Sequence, residues 1–228
     1  MLYIIGLGLN EKSISLEGIE AIKKCKKIYL ENYTVNFPYS AEELEKIIGN
    51  KITNANREFV ESDRLIKEAE KENVALLVYG SPLTATTHIT LIQEAQKEKV
   101  KYEVIYNASI LDAVAETGLQ LYKFGKIASL PSFDADSFLE IIKENQKINS
   151  HSLILVDIGL EFKNAIKRLE KITKEKVVAC SRLGTENRKI FYGTIRELEN
   201  KNIEAPFCFI IPAKLHFMEK EMLESFSF

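Results

Sequence analysis

Short apolar segments alternate with amphipathic segments along the whole chain, and this alternation limits the folds that are open to it. Residues 2–8, 73–80, 152–158 and 205–212 are largely apolar, which is typical of strands covered on both faces. The segments between them carry apolar residues at helical spacing, with charged residues on the opposite face. Buried strands that alternate with helices indicate an α/β fold in which the strands are mostly parallel.

The strong strand segments fall into two sets, which indicates two α/β domains in this chain of 228 residues. We place the boundary at about residue 110, with an N-terminal α/β domain over residues 1–110 and a C-terminal α/β domain over residues 111–228. Residues 59–72 and residues 111–122 are each predicted to form one helical stretch. Ser15 is predicted to cap the first helix.

The composition disfavours several classes of protein. A formal net charge of -2 and a pI of about 6.1 give no overall attraction to nucleic acid or to an anionic membrane. No apolar run approaches the roughly 20 residues of a membrane-spanning helix, and the apolar start lacks the features of a signal peptide. We therefore expect a cytoplasmic protein. Cys25, Cys180 and Cys208 form no CxxC pair, and we expect buried free thiols.

Ligands of open α/β sheets bind beyond the carboxyl ends of the strands, so the loops that leave predicted strands are the candidate binding segments. These loops are residues 6–9, 80–88, 107–110, 180–185 and 212–216. In the first loop, Gly6 and Gly8 serve either a tight exit from the strand or the close approach of a ligand. A dinucleotide fingerprint needs a third glycine where this chain has Glu11, so that kind of site is disfavoured.

The second loop, GSPLTATTH, leads from the end of a strand into the start of a helix. Unpaired backbone N–H groups at such a place could hold a carboxylate, a ribose or a phosphate. The alternative is a simple helix start that is capped by Thr86 or Thr87. The loop lacks the lysine of a P-loop and does not match GxSxG, so Ser81 is not an obvious nucleophile.

The three histidines lie far apart in the sequence, and none has a cysteine or carboxylate at metal-ligand spacing. We therefore expect no metal site. His151 precedes a predicted strand and is interpreted as a surface turn residue. His216 lies near a helix start, where it could be a cap, a core residue or a ligand contact. We make no separate prediction for His88.

Several segments together match one family in their order and approximate spacing. MLYIIGLGL, GSPLTATTH, NASI, TGLQLYKFGK and PAKLH resemble the diphthine synthases, from the start of the chain to its last helix. The resemblance implies a fold like that of the tetrapyrrole methylases, with S-adenosylmethionine in the cleft between two α/β domains. It also implies repeated methylation of the amino group on a 3-amino-3-carboxypropyl-histidine of translation elongation factor 2. Members are usually homodimers, and we expect an archaeal one.

The resemblance also implies which residues contact the cofactor, although it assigns no catalytic base and no metal ligand. The implied contacts are Leu9, Ser81, Thr84, Ser109, Ile110, Leu160, Leu183 and His216. The segment around Leu160 is shorter than in the family. At Ser81 the family usually has aspartate, which could form a charge-assisted bond to a polar part of the cofactor. Serine keeps one hydrogen bond, so we expect weaker cofactor binding or a replacement contact.

Three other functions remain open at the level of the sequence. The first is another methyltransferase of the same fold, acting on a tetrapyrrole such as a cobalamin or sirohaem precursor. The second is a nucleotide-binding oxidoreductase, which the missing third glycine disfavours. The third is a relative that binds the cofactor without activity, for which Ser81 and the shortened segment near Leu160 are the only support.

Overall fold

The computed structural model describes residues 1–227, and the chain divides into two compact units, Met1–Ile110 and the residues from Leu111 onward. The first unit contains β1 (Leu2–Gly6), α1 (Leu16–Lys23), β2 (Lys27–Glu31), α2 (Ala41–Ile48), β3 (Thr53–Ala55), α3 (Arg57–Val60), α4 (Arg64–Lys71), β4 (Val74–Val78), α5 (Ile89–Lys97) and β5 (Tyr102–Ile105). Helix α6 (Ile110–Ala113) begins at the last residue of this unit.

The second unit contains β6 (Ala128–Leu130), α7 (Ser137–Lys147), β7 (Ser152–Val156), α8 (Phe162–Arg168), β8 (Val177–Ser181), β9 (Lys189–Gly193), α9 (Ile195–Glu199), β10 (Phe207–Ile211) and α10 (Phe217–Glu224). Three short 3₁₀ turns, Val114–Thr117, Leu121–Lys123 and Leu169–Lys171, complete the regular structure of this unit. Among residues 1–227, no helix combines the length and the apolar character that crossing a membrane requires.

The first sheet has the strand order β3-β2-β4-β1-β5, and all of its neighbouring strands are parallel. Two separate apolar clusters cover it, one containing Leu2 and Ile4 and the other Tyr3 and Ile5 of β1. Alternate residues of a strand point to opposite faces, so a strand buried on both sides must be apolar throughout. The continuous apolar runs at residues 2–8 and 73–80 therefore predicted β1 and β4 of this sheet correctly.

The second sheet has the order β6-β7-β10-β8-β9, and among these pairs only β6 and β7 are parallel. The α/β fold class is confirmed, but the prediction of mostly parallel strands is wrong for this sheet. Residues 182–188, which join β8 to β9, are too few for the crossover that parallel neighbours need. Strand β10 then lies antiparallel to both β7 and β8, where it places Cys208 opposite Cys180. Both thiols are free and buried, whereas the free thiol of Cys25 is only half-buried.

Local hydrogen bonds decide where the helices begin and break. Ser15 caps α1 as predicted, because its hydroxyl accepts a hydrogen bond from the Gly18 N–H at 3.0 Å. The predicted helix over residues 59–72 is interrupted, since the Ser62 hydroxyl donates to the Phe59 carbonyl at 2.8 Å. The stretch over residues 111–122 breaks at Gly118, whose φ of 81° is left-handed and ends the helical path.

A buried carboxylate fixes the start of α10. Glu219 has a fully buried side chain and accepts hydrogen bonds from the backbone N–H groups of His216 at 2.8 Å and Gln120 at 3.0 Å. His151 Nε2 lies 3.0 Å from one of its oxygens, and Lys123 Nζ donates to the other. These partners come from three different segments, so the carboxylate joins parts of the unit that are distant in sequence.

The prediction that His151 is a surface turn residue is wrong, because the side chain is fully buried. It packs against Phe124, with ring centroids 5.4 Å apart, and contacts a carboxylate 68 residues later in the chain. The pKa of His151 is lowered, because burial disfavours the charged ring more than the Glu219 carboxylate favours it.

Burial alone would raise the pKa of Glu219. The hydrogen bonds from Lys123, from the two backbone N–H groups and from His151 outweigh that effect and lower the pKa to about 2. As the pH falls, the Glu219 carboxylate is therefore protonated near pH 4.5 in the unfolded chain but only near pH 2 in the folded chain. The stabilisation by ionised Glu219 is complete above this range and is lost as the pH falls through it.

We predict that the free energy of unfolding falls as the pH is lowered from about 5 to about 3. Protonation of Glu219 should contribute on the order of 1.4 kcal/mol per pH unit to this fall. Urea denaturation at each pH measures the fall. The matched variant Glu219→Gln should be less stable at neutral pH by about 1–3 kcal/mol, because buried donors lose a charged acceptor. It should also lose less stability over the acid range. Parallel curves for the two proteins would show that Glu219 has an ordinary pKa.

Candidate functional site

Three loops of the first unit meet because β1 lies between β4 and β5 and is parallel to both. Parallel neighbours end at the same edge of a sheet, so residues 7–9, 79–84 and 106–110 leave the sheet side by side. These loops contain five of the predicted site residues: Leu9, Ser81, Thr84, Ser109 and Ile110. The structure thus brings these five residues to one edge of the first sheet.

A short backbone pairing joins the first two loops. The Gly8 N–H donates to the Gly80 carbonyl at 3.1 Å, and the Gly80 N–H donates to the Gly8 carbonyl at 2.9 Å. Both residues have left-handed backbone angles, with φ of 71° and 69°. A Cβ atom on Gly6 would lie 2.7 Å from the Gly80 carbonyl oxygen, and one on Gly8 would lie 2.4 Å from Ser13 Cβ. Gly6 and Gly8 therefore allow the chain to pack against itself, which favours a tight strand exit.

The polar side chains of the second loop remain available for a ligand. Within residues 1–227, the hydroxyls of Ser81 and Thr84 make no hydrogen bond, and both side chains are half-buried. The Thr84 N–H closes a turn onto the Ser81 carbonyl at 3.1 Å, which holds the two residues together. On the first loop, the Leu9 carbonyl accepts a hydrogen bond from the Tyr79 hydroxyl at 3.0 Å, while the Leu9 side chain is buried.

The buried side chain of His88, which is 1% exposed, contacts the backbone of the second loop. Its Nδ1 lies 3.1 Å from the Pro82 carbonyl, which also accepts the Thr86 hydroxyl at 3.1 Å. A carbonyl can only accept, so Nδ1 carries the proton. The alternative interpretation, in which Thr86 or Thr87 caps the following helix, is wrong, because α5 begins at Ile89 with His88 at the N-cap.

The three predicted site residues of the second unit follow strands of different direction. Leu160 follows β7 and Leu183 follows β8, whereas His216 follows β10. Since β10 is antiparallel to its neighbours, its last residue, Ile211, pairs with the first residue of β7. The loop that carries His216 therefore leaves the second sheet at the opposite end from the loops that carry Leu160 and Leu183. The rule that loops converge at strand carboxyl ends holds for the first sheet only.

His216 is exposed and forms the N-cap of α10, where its Nδ1 accepts the Met218 N–H at 3.4 Å. Nδ1 must therefore lack a proton, so the neutral ring carries its proton on Nε2. Within the described part of the chain Nε2 makes no hydrogen bond, and it is free to donate one to a ligand. Of the three roles left open by the sequence, the structure shows the cap and excludes the core residue.

Sequence reasoning missed Glu219 and Lys123 and misjudged His151. A signal for the first was present, because His216 and Glu219 stand at the spacing of a capping box, in which both residues bond to each other's backbone. No local pattern indicates that His151 and Lys123 would join it. In residues 1–227 there is also no cluster of three or more histidine, cysteine or acidic side chains that could hold a metal ion.

Comparison with known proteins identifies relatives over the whole chain. The family model described as tetrapyrrole (corrin/porphyrin) methylases matches residues 1–199. Proteins named diphthine methyl ester synthase match 100% of this chain and 89–95% of their own lengths. Their identities are 37% in Candida glabrata, 38% in Saccharomyces cerevisiae and 35% in Homo sapiens. These relatives are eukaryotic, so they do not support the expectation of an archaeal source.

The fold has a matching solved structure, which agrees with these sequence relatives. A crystal structure of a diphthine synthase superimposes with a TM-score of 0.93 at 33% identity and covers 99% of this chain and 95% of that one. The alignments with the named proteins run over 268 to 271 positions, against 228 residues in this chain. The relatives therefore carry segments that this chain lacks. The chain belongs to the tetrapyrrole methylase family of methyltransferases and, within it, to the diphthine methyl ester synthases.

Proposed function

We propose that this protein methylates the 3-amino-3-carboxypropyl-histidine of translation elongation factor 2, with S-adenosylmethionine as methyl donor, in the synthesis of diphthamide. The observation that carries the proposal is the identity of 35–38% to diphthine methyl ester synthases over the full chain. A tetrapyrrole methyltransferase is the second candidate, because the family model is described by that activity.

Two groups of the acceptor side chain receive methyl groups in this proposal. The first is the amino group, which is methylated repeatedly until the nitrogen is a quaternary ammonium. The second is the carboxylate, because the relatives are named for a methyl ester. The two reactions differ in whether the acceptor must be deprotonated. An ammonium must lose a proton before each transfer, whereas a carboxylate is already deprotonated and can attack directly. A single active site thus has to align both a neutral amine nitrogen and a carboxylate oxygen with the methyl group.

The residues of the two units fit S-adenosylmethionine in their chemistry. The donor molecule presents ribose hydroxyls, a carboxylate, an ammonium and an adenine ring, and its sulfonium supplies the methyl group. In the first unit the unpaired hydroxyls of Ser81 and Thr84 can donate to or accept from such groups. In the second unit the Nε2–H of His216 can donate. Ser109, Ile110, Leu160 and Leu183 complete the proposed contacts, together with Leu9.

The chain's own contribution to the reaction is binding and orientation. A sulfonium is already a good leaving group, so alignment of the acceptor nitrogen with the methyl carbon supplies most of the acceleration. We assign no catalytic base. We also propose that the protein acts in the cytoplasm as a homodimer and needs no metal, nucleic acid or membrane. Light scattering of the purified protein tests the dimer directly.

The first experiment is mass spectrometry of elongation factor 2 that carries the aminocarboxypropyl-histidine, after incubation with the protein and S-adenosylmethionine. We predict mass increases of whole methyl groups on that residue. Mild alkali should then remove one of them, since an ester hydrolyses and a methylated amine does not. Elongation factor with an unmodified histidine is the control and should gain nothing.

Either of two results would contradict the proposal. Methylation of a cobalamin or sirohaem precursor, with an unchanged elongation factor, would support the tetrapyrrole candidate. Binding of S-adenosylmethionine without any transfer would indicate a relative that has lost its activity. Retention of every methyl group after alkali would limit the reaction to the amino group and overturn only the ester.

A second prediction concerns Ser81, which stands where the family usually has aspartate. The variant Ser81→Asp should bind S-adenosylmethionine about tenfold more tightly, because a charged acceptor forms the stronger hydrogen bond. Isothermal titration calorimetry measures the affinity, with the neutral variant Ser81→Asn as the matched control. Equal affinities of the wild type and Ser81→Asp would show that this position does not tune cofactor binding.

A further inference from the structure

We infer that His151 and Glu219 are positioning residues that hold the loop of residues 212–216 in the conformation that presents His216 to the cofactor. The inference rests on the proposed function, in which His216 contacts S-adenosylmethionine. Neither positioning residue needs to touch the cofactor, because both act through the backbone of the loop. We refer to residues 212–216 as the PAKLH loop.

The backbone of the PAKLH loop is hydrogen-bonded at Ala213, Lys214 and His216. The Ala213 N–H donates to His151 Nδ1 at 2.9 Å, and the His216 N–H donates to Glu219 at 2.8 Å. Lys214 is held on both sides, since its N–H donates to Asn149 at 3.0 Å and its carbonyl accepts Lys123 Nζ at 3.0 Å. These four hydrogen bonds fix the backbone of the loop.

Two side chains of the same loop remain exposed to solvent. Lys214 and His216 are both exposed, while His151 and Glu219, which hold the loop, are fully buried. A surface loop is ordinarily more mobile than the strands and helices that it connects. The main chain of this loop is instead held by the buried His151 and Glu219, the half-buried Lys123 and the exposed Asn149.

The proton positions in this cluster follow from the hydrogen bonds. A backbone N–H can only donate, so His151 Nδ1 must accept from Ala213 and carries no proton. The proton of the neutral ring is then on Nε2, which donates to the Glu219 carboxylate at 3.0 Å. His151 therefore links Glu219 to Ala213 in one defined tautomer. Loss of either hydrogen bond has a separate and predictable result.

Two substitutions separate the two bonds of the ring. His151→Asn places an amide oxygen near the position of Nδ1, where it can still accept the Ala213 N–H, but the side chain does not reach Glu219. His151→Gln reaches the position of Nε2 and can still donate to Glu219, but it offers Ala213 no acceptor. Both variants put a neutral amide in the same buried site, so they differ mainly in which bond survives.

The experiment measures hydrogen exchange of the PAKLH loop without cofactor, affinity for S-adenosylmethionine by calorimetry, and thermal stability for each variant. We predict faster exchange and about tenfold weaker binding for His151→Gln, with binding within about threefold of the wild type for His151→Asn. Ile154→Val, which removes one buried methyl group from the same unit, is the control for lost stability. It should bind the cofactor as the wild type does.

Several outcomes would overturn the inference. Unchanged exchange of the loop in His151→Gln would show that the ring does not hold it. Faster exchange with unchanged affinity would show that the loop conformation does not matter for binding. Affinity losses that follow thermal stability across all three variants would indicate a purely structural role. A wild-type protein that binds no S-adenosylmethionine would reject the proposed function itself, and the positioning role with it.

Discussion

The parallel pairing of β1 with β4 and β5 is the constraint on which the candidate site of the first unit depends. It brings three loops to one edge of the sheet, where Gly8 and Gly80 pair through their backbones. That pairing requires left-handed backbone angles and allows no Cβ atom at Gly6 or Gly8 without a shift of the surrounding chain. The glycines are therefore needed to assemble the loops, and the unpaired hydroxyls of Ser81 and Thr84 remain for a ligand.

The second unit uses a different device, because its sheet is mostly antiparallel. Its loops leave both ends of the sheet, and the predicted site residues divide between them. The loop that carries His216 leaves the sheet at the end where β10 finishes and β7 begins, opposite the loops that carry Leu160 and Leu183. In a parallel sheet the loops after the strands leave at one edge. In this sheet they leave at both ends, so the loops at each end need their own stabilising contacts. At the end that carries His216, buried charged and polar groups provide them.

Those buried groups show how a charge can be placed in the interior of a protein. Glu219 has no exposed surface, but hydrogen bonds from Lys123, His151 and two backbone N–H groups keep it ionised and lower its pKa to about 2. The same bonds connect α10, the Leu121–Lys123 turn and the start of β7. Stability of this region and the shape of the PAKLH loop consequently depend on one cluster of side chains.

The sequence by itself determined the strands and helices, the α/β class and the family, because periodicity and short motifs are local properties. It also identified the loops that carry Ser81 and His216. Only the tertiary structure decided the direction of the strands in the second sheet and the burial of His151. Each of these depends on a partner or a connection that no local window contains. For His151 that partner is Glu219, 68 residues away, and the hydrogen bond between the two side chains exists only once the folded chain brings them together.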